Sequence, residues 1–221
     1  MDSRDTDKEL FTYIYEKRIW GDVCPSGQSA LPSVNPEYLK VVESEVASPH
    51  VNSVVDYGCG DYSLFQGFGW PNGLRYLGVD VVYELIGDNL QLYTEPNVSF
   101  KLVPEGDMPP AADLLLCKDV FQYWDVEKVL WFCREVLPNY RKAVLAYDLP
   151  NSDYLSWRKR QKQYRDFYSF YEPKAIMGLC GLNPENVVEY TYPRYEVGSG
   201  ENMDILEFTL DKQVMVISNG Y

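Results

Sequence analysis

Short apolar runs, most of them ended by an acid, set the pattern of this chain. There are five such runs in the first two thirds of the chain. One contains Val54 and Val55, and the others are residues 75–80, 98–103, 112–119 and 142–148. Runs of this length are typical of strands buried in a parallel sheet. Four of the five are followed closely by an Asp at or just past the carboxyl end. Open α/β sheets bind ligands at that edge, so these acids are candidate site residues.

Apolar residues at helical spacing surround these runs. They predict helices over 5–20, after Asn35, after residue 81 and over 126–137. Asn35 and Pro36 make a good cap and first-turn pair for the second of these helices. Residues 172–182 predict a last helix, and the runs VVEYTYPRY and DILEFTLDKQ predict a sixth and a seventh strand.

Residues 151–171 combine an aromatic face with a basic cluster. Aromatic faces suit the apolar faces of sugars or rings, and the basic cluster would favour an anionic group on a ligand. A helix with a buried stripe and a solvated basic face, or a dimer interface, would show the same pattern. The aromatic residues concerned are Tyr154, Trp157, Tyr164, Tyr168 and Tyr171.

The first apolar run ends in Asp56, Gly58 and Gly60, within the stretch VNSVVDYGCGDYS. A strand that enters a Gly-x-Gly turn and then a helix lets the backbone approach a ligand, with the helix N-terminus behind it. A dinucleotide site would place a third glycine where this chain has Ser63. An acid ahead of the first glycine is also unsuited to a pyrophosphate, whereas it suits an ammonium or sulfonium group.

The order D-Y-G-C-G-D therefore resembles motif I of the class I S-adenosylmethionine (SAM) methyltransferases. The resemblance implies an α/β fold with a seven-stranded Rossmann-like sheet, mostly parallel with an antiparallel last strand, and helices on both faces. It implies SAM as cofactor, with S-adenosylhomocysteine (SAH) as product, bound at Asp56, Gly58 and Gly60. It also implies that the fourth and fifth strands lie on neighbouring sides of the first.

Later residues extend the cofactor site that the resemblance implies. Asp80, about twenty residues on, has the spacing of an acid that accepts hydrogen bonds from ribose hydroxyls. Val81 would contact the adenine face. Asp107 with Met108 would hold the adenine amino group, with Glu105 as the neighbouring alternative and a plain turn as the other interpretation. A further cofactor-binding residue is expected at the end of the fourth strand, Lys118.

Trp20 and Gly21 end the first predicted helix and lead into a loop rich in Ser, Pro and Gly. This step resembles the N-terminal signature of small methyltransferases associated with glycan biosynthesis, in which the loop covers the cofactor. The resemblance implies that both residues contact the cofactor. The second half of the signature is not reproduced in residues 22–29, and a simple connector is the alternative.

Methyl transfer from a sulfonium needs alignment, exclusion of water and, for a hydroxyl acceptor, removal of a proton. The single histidine, His50, precedes the first strand and so lies at the opposite end of the sheet. The base should therefore be a carboxylate, a tyrosine or a lysine near the cofactor edge. Asp119 is the first candidate and Asp148 the second, and Tyr123, a further candidate catalytic residue, would form one wall of the acceptor pocket with Trp124. Helix capping or a salt bridge to Lys118 is the alternative role for Asp119. A magnesium ion held by the two carboxylates is the less favoured arrangement, because metal-dependent relatives carry Asp-Asn after the fifth strand.

The composition of the chain limits the classes of partner that it can bind. The chain has 221 residues, which suits one domain: N-terminal helices and a lid-like loop (1–50), a cofactor-binding core (51–148) and acceptor-side helices and last strands (149–221). A net charge of -13 argues against nucleic acid. No leader and no long apolar run is visible, which predicts a cytoplasmic protein without a membrane partner. Five scattered cysteines without a C-x-x-C pair argue against zinc.

The predicted function is O-methylation of a hydroxyl, with a sugar of a glycan or glycoconjugate favoured as the acceptor by analogy. One alternative is a small-molecule methyltransferase with a phenol or carboxylate acceptor, and another is a non-catalytic SAM-binding interaction domain. A homodimer, or a domain of a larger glycan-processing polypeptide, fits the sequence equally well.

Overall fold

The computed structural model describes residues 7–21, 24–149, 177–197 and 205–219. The predicted aromatic segment 151–171, residues 172–176 of the predicted last helix and residues 198–203 lie outside these ranges. The seven strands are β1 (Ser53–Tyr57), β2 (Arg75–Asp80), β3 (Val98–Leu102), β4 (Leu114–Lys118), β5 (Lys142–Leu149), β6 (Asn186–Val197) and β7 (Ile205–Ser218).

These strands form one sheet in the order β3-β2-β1-β4-β5-β7-β6. Strands β1 to β5 are parallel, and β7 runs antiparallel to both β5 and β6. The predicted fold class is therefore confirmed. The expected placement of β5 beside β1 is wrong, because β4 lies between them. Since β4 and β5 are neighbours, Asp119 and Asp148 still end up at adjacent strand tips.

Helices cover both faces of the sheet. They are α1 (Asp7–Glu16), α2 (Pro36–Val46), α3 (Tyr83–Leu92) and α4 (Val126–Trp131), the last of which continues through a π-helical turn (Phe132–Val136) into a 3-10 turn (Leu137–Asn139). The alternation along β4 shows how the core divides. Leu114 and Leu116 pack on the α2 face, whereas Leu115 and Cys117 pack on the α4 face, so every one of these side chains is buried.

Two local predictions need correction. Asn35 precedes α2 as predicted, but its side chain does not cap the helix. Its amide instead donates to the carbonyls of Ser29 and Leu31 at 2.7 and 2.8 Å, which braces the loop that precedes the helix. At α3, the helical spacing of Val82, Leu85, Ile86 and Leu90 predicts that all four are buried, but Leu90 is exposed. No helix within the described ranges is long and apolar enough to cross a membrane.

Candidate functional site

The carboxyl ends of β1 to β4 open into a cleft of about 1030 Å³, including its mouth. Its floor comes from the residues that follow these strands, and its cover comes from α1 and the loop 24–30. The cleft therefore lies at the sheet edge where the acids that end the strands were predicted to meet. Of the predicted site residues, those on its wall are Trp20, Asp56, Gly58, Gly60, Asp80, Val81, Lys118, Asp119 and Tyr123.

The glycine loop is held tightly against β2. The backbone N–H groups of Gly58 and Cys59 both donate to the carbonyl of Val79, at 2.8 and 3.1 Å. Gly58 and Gly60 have φ values of 74° and 58°, which favour glycine. A Cβ on Gly60 would lie 2.4 Å from Ser26 Oγ, so this position also needs glycine for the close approach of the cover.

The helix expected behind this loop is absent. Residues 61–74 form turns and irregular backbone, and the chain passes from β1 to β2 without a helix. This segment contains Gly67, Gly69, Pro71 and Gly73, which disfavour a helix, and its aromatic side chains pack into the core instead. The positive end of a helix dipole therefore plays no part at this loop.

Asp80 joins the glycine loop to the start of α3. One carboxylate oxygen accepts from the Gly60 N–H at 3.2 Å, and the other accepts from the Val82 N–H at 3.1 Å. Burial raises the pKa of Asp80, and its backbone donors oppose that shift. The backbone donors, which include Val81, do not use all the lone pairs of the two oxygens, so the carboxylate has acceptor capacity for a ligand in the cleft.

Asp56 is buried at the end of β1 and accepts a hydrogen bond from the Tyr76 hydroxyl at 2.6 Å. Burial raises the pKa of this carboxyl to about 7, while the Tyr76 hydrogen bond and the charge of Lys118 act in the opposite direction. Asp56 therefore titrates near neutral pH on the wall of the cleft. A cation in the cleft would favour its ionised form.

The loop after β3 places only one of the two acids predicted to contact adenine on the cleft wall. Asp107 and Met108 are exposed and lie outside the cleft, since the Asp107 N–H closes a turn onto Pro104. Glu105 lies on the wall instead. Its carboxylate accepts from Lys128 Nζ at 2.6 Å and from the Asp7 N–H at 3.0 Å.

Alternating charges connect the tips of β4, β5 and β7. Lys118 pairs with Asp119, and Asp119 pairs with Lys212. Lys212 Nζ is in turn 2.7 Å from Asp148, whose Oδ1 also accepts from the Tyr192 hydroxyl at 3.0 Å. Lys212 and the Asp148 side chain are fully buried, and Asp148 lies outside the cleft.

This arrangement changes the roles expected of the two acids. Burial tends to raise the pKa of Asp119, but the charges and hydrogen bonds of Lys118 and Lys212 exceed it and lower the pKa to about 2. A carboxylate with so low a pKa is a weak base. Between Asp119 and Asp148 lies the Lys212 ammonium. Among the described residues, no cluster of three or more His, Cys, Asp or Glu side chains is arranged to hold a metal.

An aromatic cluster covers the cleft above β4. The rings of Phe11 and Tyr123 meet edge to face at 5.3 Å, and Trp20 lies 5.8 Å from Tyr123 and 5.7 Å from Tyr15. All four line the cleft, whereas Gly21 does not. Trp124 also lines it and donates its indole N–H to Asp7 at 2.7 Å.

The cover is fastened to the glycine loop by residues that the sequence did not single out. The Ser26 N–H donates to the Asp61 carboxylate at 3.1 Å, and the Asp61 N–H donates to Ser26 Oγ at 2.8 Å. Tyr15 Oη is 2.8 Å from the same Ser26 hydroxyl. A Gly/Ser-rich loop ahead of a Gly-x-Gly-Asp turn is the only sequence signal of this pair. The loop therefore covers the cleft, which favours the lid over the simple connector.

Comparison with known proteins supports the fold. No protein-family model and no curated protein matches the chain. Solved structures do: the magnesium protoporphyrin IX methyltransferase of Synechocystis, with bound SAH, superposes with a TM-score of 0.62 at 14% identity, covering 96% of this chain and 97% of that one. The N-methyltransferase NodS of Bradyrhizobium japonicum gives 0.56 at 14% identity, covering 86% and 98%.

A Bacillus subtilis protein, YcgJ, gives a TM-score of 0.61 at 15% identity, covering 84% of this chain and 99% of that one. Identities of this size establish the architecture and no more. Together with the sheet order and the glycine loop at the tip of β1, they show that the chain has the fold of the class I SAM-dependent methyltransferases, as the resemblance of its glycine motif predicted.

Proposed function

We propose that this chain is a SAM-dependent methyltransferase that acts on a small molecule or a glycan. The observation that carries the proposal is the position of Asp80. Its carboxylate lies on the cleft wall, accepts from the backbone N–H groups of Gly60 and Val82, and has acceptor capacity left for a ligand. That is the chemistry that a ribose diol requires.

The neighbouring residues fit the rest of the cofactor. Val81 and Val103 give the cleft apolar surface next to Asp80, which suits a purine ring. Glu105 replaces Asp107 as the candidate acceptor for the adenine amino group. The acids on the wall suit the cationic groups of SAM. When bound, SAM supplies a methyl group that its sulfonium has already activated.

The chain itself must then exclude water and orient the acceptor. The cluster of Phe11, Trp20 and Tyr123 forms an apolar cover over the β4 end of the cleft. Aromatic faces of this kind suit the apolar face of a sugar or another ring. We therefore keep a sugar hydroxyl as the proposed acceptor and O-methylation as the proposed reaction. An amine is the next acceptor class to screen, because NodS is an N-methyltransferase.

Calorimetric titration with SAH tests the cofactor. We expect micromolar binding by the wild type and a loss of at least about tenfold in Asp80→Ala, because a charged hydrogen-bond acceptor is worth about 1.5–3 kcal/mol. Asp107→Ala is the matched control: the same acid is removed from an exposed turn outside the cleft, so binding should be unchanged.

Activity is then measured with SAM and a panel of methyl glycosides, phenols and alkylamines, with methylated products detected by mass spectrometry. Absence of SAH binding by the wild type would refute the proposal. Binding without product from the sugars would remove only the sugar acceptor.

A further inference from the structure

Lys118 is the last residue of β4 and contributes a cation to the floor of the cleft. Its side chain is only 7% exposed. Nζ donates to the carbonyl of Ser29 in the cover at 2.7 Å and pairs with Asp119. Two contacts on opposite sides therefore fix the position of Nζ at the boundary between the cover and the sheet.

The charges that face Lys118 come from four strands. Asp119 follows β4, Asp56 ends β1, Asp148 lies on β5 and Lys212 lies on β7. Burial and the positive charge of Lys212 lower the pKa of Lys118 to about 8, against the attraction of Asp119 and Asp148. Those two carboxylates raise the pKa of Lys212 well above its usual range. Lys212 therefore stays charged, and Asp119 keeps a counter-ion when Lys118 loses its proton.

Other groups on the wall are less suited to accept a proton from the acceptor. Asp56 has a pKa of about 7, but its carboxylate accepts from the Tyr76 hydroxyl and is assigned to the cationic groups of the cofactor. Asp119 is held ionised between two lysines and is a weak base. Burial raises the pKa of the Tyr15 hydroxyl well above its usual range, and nearby acids raise it further. Asp148 lies outside the cleft. Lys118 differs from these groups. Its neutral amine is populated at mildly alkaline pH, and fixed contacts hold Nζ in place.

We propose that Lys118, and not Asp119 or Asp148, accepts the proton of the acceptor hydroxyl during methyl transfer. The inference rests on the proposed function. The lone pair of neutral Nζ would take the hydroxyl proton, and the oxygen would use the electron pair of the broken O–H bond to bond the methyl carbon. The sulfur–methyl bond of the donor would break in the same step, with its electron pair left on the sulfur of the thioether product. Nζ becomes an ammonium and later releases the proton to water. Asp119 then has the role of a positioning residue that orients Nζ.

The first test needs no acceptor. Acetic anhydride labelling across pH 6–11, read by peptide mass spectrometry, measures the protonation midpoint of Lys118 in the intact protein. We expect half-maximal reactivity near pH 8, against about 10.4 for a free lysine. An ordinary midpoint would overturn the proposal. A nearby positive charge disfavours the protonated form of a lysine. Added SAM, which carries a sulfonium, should therefore lower the labelling midpoint of Lys118 further, whereas SAH, whose sulfur is neutral, should lower it less.

The second test uses Lys118→Met and Lys118→Arg, with Lys142→Met as a matched control at the other end of the sheet, where Lys142 pairs with Glu45. For a sugar that the wild type methylates, kcat should fall about 100-fold or more in both Lys118 variants, as expected for loss of a base. The alkaline rise of the wild-type rate near pH 8 should also disappear. SAH affinity should stay within about threefold.

The two hypotheses fail differently. Wild-type protein that does not bind SAH would refute the cofactor and leave the labelling result standing. Normal activity with an unchanged pH profile in Lys118→Arg would refute the base assignment alone. A large loss of SAH affinity in Lys118→Met, with an ordinary labelling midpoint, would make Lys118 a cofactor ligand and overturn its role as base.

Discussion

Gly60→Ala tests the close contact between the glycine loop and the cover. Gly60 has a φ of 58°, and a Cβ placed there would lie 2.4 Å from Ser26 Oγ and 3.1 Å from Tyr15 Oη. The substitution therefore has two separate costs. One is the left-handed backbone, and the other is displacement of Ser26 from its hydrogen bonds.

The magnitude follows from these two terms. An L-residue in the left-handed region costs roughly 1–2 kcal/mol. Ser26 Oγ accepts from the Asp61 N–H and bonds with Tyr15 Oη, both at 2.8 Å, and each such bond is worth about 0.5–1.5 kcal/mol. Gly60→Ala should therefore lower the free energy of unfolding by about 2–5 kcal/mol. Gly67→Ala should lower it by only about 1–2 kcal/mol, since Gly67 has a φ of 77° and no atom near its missing Cβ.

Urea unfolding of both variants measures the difference, and the Ser26→Ala background isolates its cause. Removing Oγ relieves the closest contact, so Gly60→Ala should then cost about as much as Gly67→Ala. Hydrogen exchange of residues 24–30 should accelerate in Gly60→Ala alone. Equal losses for the two glycine variants, or a Gly60 cost unchanged by Ser26→Ala, would refute the reasoning.

Buried charges provide two further tests. Burial raises the pKa of Asp56 to about 7 when folded, against about 3.9 when unfolded, so stability present below about pH 4 is lost as the pH rises to 7. Asp56→Asn should remove this loss. In urea unfolding, its free energy of unfolding should exceed that of the wild type by on the order of a few kcal/mol at pH 8 and by little at pH 4. Asp107→Asn should show no such gain. Lys212→Met should cost about 3–5 kcal/mol, because two buried acids lose their shared counter-ion. Lys142→Met, which breaks partly exposed pairs, should cost about 1 kcal/mol or less in the same measurement.

Local pattern was sufficient for most of the sheet. The second predicted strand, 75–80, coincides with β2, and the other apolar runs differ from the observed strands by a few residues. Strands buried on both faces need continuous apolar side chains, so a run of adjacent apolar residues is enough to predict them. Asp56, Gly58, Gly60 and Asp80 line the cleft, and the sequence pointed to them for the same reason, since a chain turn at a strand end has a short sequence signature.

The predictions that failed concern segments whose conformation depends on packing against other parts of the chain. The helix after Gly60 is missing because glycines, a proline and core-packing aromatic residues occupy its stretch. The choice between Glu105 and Asp107 depended on a two-residue register in a loop, which only the turn onto Pro104 decides. A one-dimensional pattern contains no information on such packing.

The sequence by itself determined the fold class, the edge of the sheet where the cleft opens and the acid at the end of β2 that lines it, because each depends on neighbours along the chain. The tertiary structure decided the protonation states of the charged groups, and so which of them can accept a proton. Lys118 and Lys212, the latter 93 residues from Asp119, lower the pKa of that acid and make it a weak base, whereas burial and the charge of Lys212 lower the pKa of Lys118. Protonation depends on charges and burial in space, and those are set only when distant strands meet.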